Sequence, residues 1–425
     1  MTGASPTRAG SGIDLPTIVA HGLCAGCGLC ESLAGKTRVE MTITSYGQIR
    51  PVVKAPVDET TMDAIRAVCP GIRIEGPDPA NAGEAGHMDS IYGPIRTLHR
   101  GWAGDPAVRR RAAAGGGMTA LSIHLLETNA VDAILHVRAS TDQPMLTEAQ
   151  VSRSREEVVS GAQSRYGPAA PLVHVHRLLD EGCRFAVAAK PCDVAAIRNL
   201  ARIDPRVDAQ IPYLITNFCG GVPTLHTARK IAAYVGVAPD EVEIFRWRGE
   251  GWPGPTHVRT KSGAVHELTY DKVWFDAGVP WSYDIQYRCK ICPDAIGELS
   301  DVACPDGWVM EGGKPVHKEA PGQNVFVART AKGERLVAEA AAAGAIELAP
   351  IGLAEFLAMH DDHRTRKIAG PARVLALRMS AEPVPRFTRL RRWRMAVKNG
   401  FWGNLEALLG GLIRVRERRN REPLI

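Results

Sequence analysis

The chain has 425 residues, 45% of them hydrophobic, with 42 glycines, 29 prolines and a formal net charge of +6. That length is too great for one simple core and suggests two or three units, and the composition is that of a soluble, loop-rich globular protein. No window holds eighteen uncharged apolar residues, which argues against a spanning helix, and Met1 to Gly22 lacks the basic start and apolar stretch of a secretory leader, so a cytoplasmic location is expected.

Residues 1–15 are small and polar and are expected to be disordered. The run CAGCGLC then sets Cys24, Cys27 and Cys30 at C-x2-C-x2-C spacing, and Cys69 follows later, directly before Pro70. Three thiolates so spaced can each bind a different iron of one 4Fe-4S cubane, with a distant Cys-Pro supplying the fourth ligand. Structural zinc sites pair cysteines two by two and leave no place for the third thiolate. The long gap to Cys69 departs from the bacterial ferredoxin pattern, which bears on the fourth ligand rather than on the cluster. Residues 16–75 read as a ferredoxin-like unit in which VEMTITSYGQIRPVV is a hairpin between the ligand loop and a short helix delivering Cys69. GPDPANAGEAG reads as a linker.

From about residue 91 to 240, helix-like segments such as ALSIHLLETN alternate with strand-like runs such as VDAILHV, RFAVAAK and YLITNFC, which argues for an α/β sheet. Gly115, Gly116 and Gly117 open one of the helices. Such a turn lets backbone N–H groups approach a phosphate, but it is not a G-x-G-x-x-G fingerprint, and an ordinary loop reads the same way. Cys192 and Cys219 each end a hydrophobic, β-branched run, while Cys289 and Cys292 form a C-x2-C pair. Two strand ends and one chelating loop can meet at the carboxyl edge of a sheet, where open α/β folds place cofactors. Lys190 is either a fixed cation at a strand end, suited to a phosphate or an anionic flavin, or a solvated surface lysine. Cys183 reads as a small core residue, and no role is assigned to Cys304. Residues 241–350 mix further strands with the Cys289 loop. Clusters need reduced thiols, so no disulfides are expected.

The stretch 386–425 differs in kind: eleven Lys or Arg stand against three Glu, a local +8 that leaves −2 for the rest. Trp393, Phe401, Trp402, Leu405, Leu408, Leu409, Leu412 and Ile413 are interleaved with that charge, which suits an amphipathic helix on an anionic membrane surface or an acidic partner. A solvated helix folded back on the body is the other reading. No nucleic-acid-binding motif is present.

Several motifs in order carry a resemblance: CAGCGLC, AAGGGMTALSIHLLE, GAQSRYGP, AKPCDVAAIRNL, NFCGG and CKICPDAIGELSDVACPDGW. Over residues 20–350 the chain resembles the beta subunits of coenzyme F-420 hydrogenases and dehydrogenases, a family that also holds the ferredoxin-dependent chlorophyllide 8-vinyl reductase and 7-hydroxymethyl chlorophyll a reductase. The resemblance implies a mixed α/β flavin and iron-sulfur core at 91–350, FAD, and a 4Fe-4S cluster on the cysteines matching Cys192, Cys219, Cys289 and Cys292. With the amino-terminal set this makes two clusters. It further implies flavin contacts at Gly115, Gly116, Gly117 and Thr119, and at Ser164, Arg165 and Tyr166, whereas Lys190 stands where the family usually has a small residue. The function expected is an oxidoreductase passing electrons from ferredoxin or a partner subunit through the clusters to FAD and on to an organic hydride acceptor, a deazaflavin or an unsaturated or tetrapyrrole-type compound. The alternative is a relay subunit with no substrate of its own.

Overall fold

The structure, a computed structural model, describes residues 13–78, 86–276 and 284–422. Most of the segment expected to be disordered, most of the linker and the last three residues of the basic stretch lie outside these. Residues 13–15, within the stretch expected to be disordered, are described: the Asp14 carboxylate accepts the Thr17 N–H (2.8 Å) and caps helix α1, Leu15–Ala20. Helix α2 (Leu29–Ala34) follows, then the antiparallel hairpin of β1 (Val39–Ile43) and β2 (Ile49–Val53), helix α3 (Glu59–Val68) and the short strand β3 (Arg73–Glu75).

The body is one eight-stranded mixed sheet built from β4 (Thr97–Ala103), β5 (Ala133–Ala139), β6 (Thr147–Ser152), β7 (Phe185–Ala188), β8 (Leu214–Thr216), β9 (Val302–Ala303), β10 (Asn324–Ala328) and β11 (Ile346–Ala349). Their order across the sheet is β11-β4-β10-β9-β8-β7-β5-β6. The central run β9-β8-β7-β5 is parallel, and each flank is antiparallel. The buried apolar strands Phe185–Ala188 and Leu214–Thr216 occupy the middle, as expected for strands covered on both faces. Helix α4 (Gly117–Glu127) lies on the sheet, and helix α5 (Pro191–Leu200) leaves the carboxyl end of β7. Helix α6, Tyr287–Lys290, carries Cys289.

Residues 386–422 are not a separable tail. Strand β12 (Arg386–Thr388) pairs in parallel with β3, Arg386 opposite Arg73 and Thr388 opposite Glu75. Helix α7 (Asp361–Met379) packs along helix α8 (Arg392–Arg416), with Gly411 so close to Ala376 that a Cβ there would stand 2.6 Å from the alanine methyl. Phe387, Leu390 and Met395 are buried. The composition of this stretch, rich in arginine and exposed tryptophan, hid the few buried positions that fix it. The amino-terminal unit is no freestanding module either: Leu15, Ile18, Leu29, Ile65 and Val68 share one apolar core with Leu172, Phe185, Val194 and Leu214 of the body. Among the described residues no helix is long and apolar enough to cross a membrane.

Candidate functional site

The first thiol set forms around a loop held by glycine. Gly26 (φ +70°) and Gly28 (φ +87°) take left-handed conformations, and a Cβ on Gly28 would meet Val173 at 2.6 Å, so the loop lies hard against the body. The Leu172 N–H donates to the Cys27 carbonyl (2.9 Å). Cys30 lies in the first turn of α2, and Cys69 ends α3 in an extended conformation. Cys24, Cys27, Cys30 and Cys69 line one apolar cavity with Met41 and Pro70, about 390 Å³ of empty space including its mouth.

Burial raises the Cys24, Cys27 and Cys30 thiols and lifts Cys69 to about 11. Thiols so buried stay neutral unless cationic metal holds them as thiolates. Among the described residues, no three His, Cys, Asp or Glu side chains are placed to hold a single metal ion. Four cysteines on one apolar cavity, in C-x2-C-x2-C spacing with a later Cys-Pro, suit a cluster better than zinc.

The second set is assembled from three directions. Cys192 is the second residue of α5, Cys219 lies three residues beyond β8, and Cys289 and Cys292 flank the end of α6. Burial raises Cys192 and Cys292 and pushes Cys219 up to about 12, and each feels at least one other member of the set. Gly221 lies against Cys289, and Cys219 is anchored by its N–H to the Ala295 carbonyl (2.8 Å).

The two sets are neighbours. Lys190 Nζ grips both Asp193 oxygens (2.7 and 2.8 Å); burial opposes its charge, but Asp193, Cys192 and Cys27 hold it above its ordinary value. Arg288 donates to the Pro70 carbonyl (2.9 Å), and its charge acts on both Cys69 and Cys292. Lys190 is therefore neither solvated nor free for a phosphate. Spacing gave no sign of Arg288 or Asp193.

The residues nominated for FAD are mostly engaged by the chain itself. A Cβ at Gly115 would meet Asn324 N at 2.7 Å, and one at Gly117 would meet the Phe326 ring at 2.7 Å, so close packing of the chain already requires these glycines. The Gly117 N–H donates to Asn324 Oδ1 (2.8 Å), whose amide in turn donates to the Cys304 and Pro305 carbonyls. Arg165, pushed down to about 10 by burial, donates to the carbonyls of Phe245, Pro144 and Leu146. The Tyr166 hydroxyl accepts from Arg248, which also pairs with Asp306 (2.8 Å). Ser164 bridges the backbone of Arg248, and Thr119 lies half-buried in the first turn of α4.

Nitrogens without partners lie close by. Trp247 Nε1 is buried beside Tyr166, with ring centroids 5.7 Å apart. His360 Nε2 and His363 Nε2 are buried against Phe218, the residue before Cys219. Burial lowers His360 to about 4 and His363 well below its ordinary range, so both are neutral imidazoles. His360 and His363 thus offer unpartnered nitrogens to a bound polar group beside Phe218, and Trp247 offers one beside Tyr166, by contacts the motifs did not signal. The segment Cys304–Trp308 joins the glycine turn, through Asn324, to Arg248 and His360. All ten cysteines are free thiols, and Cys183 and Cys304 are buried.

Two thiol sets beside the parallel centre of a mixed sheet, with Cys24 and Cys27 buried and the other six half-buried, form an arrangement able to hold electron-carrying clusters. Family comparison agrees: residues 98–177 match the amino-terminal model, and residues 182–353 the carboxyl-terminal model, of the coenzyme F420 hydrogenase/dehydrogenase beta subunit. The chain belongs to that family. It is 28% identical over 212 residues to the F420-dependent formate dehydrogenase subunit beta of Methanocaldococcus jannaschii, covering 50% of this chain and 53% of that protein. It is 26% identical over 275 residues to the coenzyme F420 hydrogenase subunit beta of Methanococcus voltae, covering 60% and 85%. The chain thus spans about half the length of the formate dehydrogenase subunit. A chain of the F420-reducing [NiFe] hydrogenase complex from Methanosarcina barkeri superposes with a TM-score of 0.55 at 19% identity, covering 69% of this chain and 96% of that one, a likeness of fold.

Proposed function

We propose that this oxidoreductase subunit carries two 4Fe-4S clusters, one on Cys24, Cys27, Cys30 and Cys69 and one on Cys192, Cys219, Cys289 and Cys292, and passes electrons between them. The observation that carries the reading is the pair of four-cysteine sets sharing Lys190, Asp193 and Arg288 as neighbours. Ferredoxin or a partner subunit is the donor, and the acceptor is an organic hydride acceptor, a deazaflavin or a tetrapyrrole-type compound. Clusters handle single electrons, and FAD, where bound, supplies the step to two-electron hydride chemistry. Trp247, His360 and His363 offer the unpartnered nitrogens that would hold it, and the α4 N-terminus offers N–H groups. The buried aromatic and apolar side chains around Phe218 keep water away from that region.

A relay role inside a larger complex is the second reading, favoured by relatives that are named as beta subunits. We also propose that α8 docks on an anionic membrane surface, supported by its exposed tryptophans and the +8 charge of residues 386–425. Anaerobic purification followed by iron and acid-labile sulfide assay should give about eight of each per chain. Cys27→Ala and Cys289→Ala should each remove about half. A wild-type chain with only one cluster's worth, unaffected by Cys27→Ala, would refute the amino-terminal cluster.

A further inference from the structure

Arg50 projects from β2 with its side chain completely buried. Its Nε and Nη2 donate to the two carboxylate oxygens of Glu422 (2.6 and 2.5 Å), a fork-to-fork pair between the amino-terminal unit and the end of the described chain. Toward the first thiol set, Nη1 lies against Gly26, 3.5 Å from where a Cβ on that glycine would stand. Toward the second, Nη2 also donates to Gln286 Oε1 (3.0 Å), and Gln286 Nε2 donates to Cys289 Sγ (3.3 Å). One guanidinium therefore faces both ligand loops, and its charge acts on Cys24 and Cys289 together.

We propose that Arg50, held in place by Glu422, sets the reduction potentials of both clusters from its position between them. The inference deepens the two-cluster reading and rests on it. An arginine stays protonated under all conditions of interest. In a low-dielectric interior, its charge favours whichever side holds the additional electron. The Gln286 amide adds a hydrogen bond to a ligand sulfur, which acts in the same direction. Glu422 offsets part of this cation while fixing its geometry. Neither Arg50 nor Glu422 lies in the segments that match the family models, so the device lies in the flanks outside them.

The test uses the full chain, purified anaerobically, with iron and sulfide assay followed by EPR-monitored redox titration of Arg50→Gln, Arg50→Lys and Glu422→Gln. Arg50→Gln should move both midpoints to more negative values, Glu422→Gln should move both to more positive values, and Arg50→Lys should stay closer to the parent than Arg50→Gln. Opposite signs from the two halves of one ion pair are an electrostatic signature that a merely structural role does not give. Unmoved midpoints, or shifts of the same sign in Arg50→Gln and Glu422→Gln, in chains that keep the iron of two clusters overturn this inference and leave the two-cluster reading standing. A parent chain with less iron than two clusters overturns both. If Arg50→Gln loses iron, the nearly isosteric Glu422→Gln decides: a positive shift supports the inference and no shift overturns it.

Discussion

At the start of α5 a lysine and an aspartate are buried together between Cys27 and Cys192. Burial alone raises the Asp193 carboxyl, and Lys190 pulls it back. Removing the lysine strands a buried carboxylate, so Lys190→Met should destabilise the fold by about 3–5 kcal/mol, and the double change Lys190→Met with Asp193→Leu should recover most of it. Denaturant unfolding of the three proteins checks this; equal losses in single and double variants would show that the pair is not coupled. The cysteines themselves were legible because ligand spacing is a local property of a loop. Arg50, Arg288 and His363 were not, since each reaches the site by long-range folding and stands in no ligand motif; Asp193 follows Cys192 within AKPCDVAAIRNL, but spacing does not show its pairing with Lys190. The glycine turn was legible as a close approach, but its partners are Asn324 and Phe326, and sequence cannot distinguish packing against chain from packing against cofactor.

Helix α8 shows the same division at the scale of an element. It breaks at Gly400 (φ 67°), and Trp393, Phe401 and Trp402 are 79%, 72% and 77% exposed on either side of the break. Met395 and Gly411 meanwhile fasten it to the body. Sequence located the aromatic and basic content correctly but not the buried contacts, because a three-residue parallel strand and a glycine-alanine crossing leave little periodic signal. Two interfacial tryptophans next to Arg392, Arg394 and Lys398 suit a headgroup layer, each basic residue that reaches it adding about 1 kcal/mol. Trp393→Ser with Trp402→Ser should therefore abolish sedimentation with anionic vesicles at low salt while leaving iron content unchanged. Undiminished sedimentation would mean that α8 does not dock there.

For the molecule as a whole, the segments before residue 98 and after residue 353 lie outside the family models, yet they hold each other. His21 and Arg421 both engage Glu382, Arg50 pairs with Glu422, and Lys367 and Arg391 close on the buried Glu298 beyond the second thiol loop. Truncation after Pro385 removes β12, α8 and Glu422 together. It should cost the amino-terminal cluster and about half the iron, read by iron assay and EPR; full iron retention would show that the clasp is dispensable. The alternation of strands and helices made the central sheet legible, whereas pairing between the two flanks has no local signature at all. That pairing also orders events during synthesis. Strand β3 closes the amino-terminal unit only against a strand made after nearly all of the described chain, and contacts of such separation form late. On the two-cluster proposal, the first cluster site is therefore completed only after residue 388 has been made, long after its four cysteines.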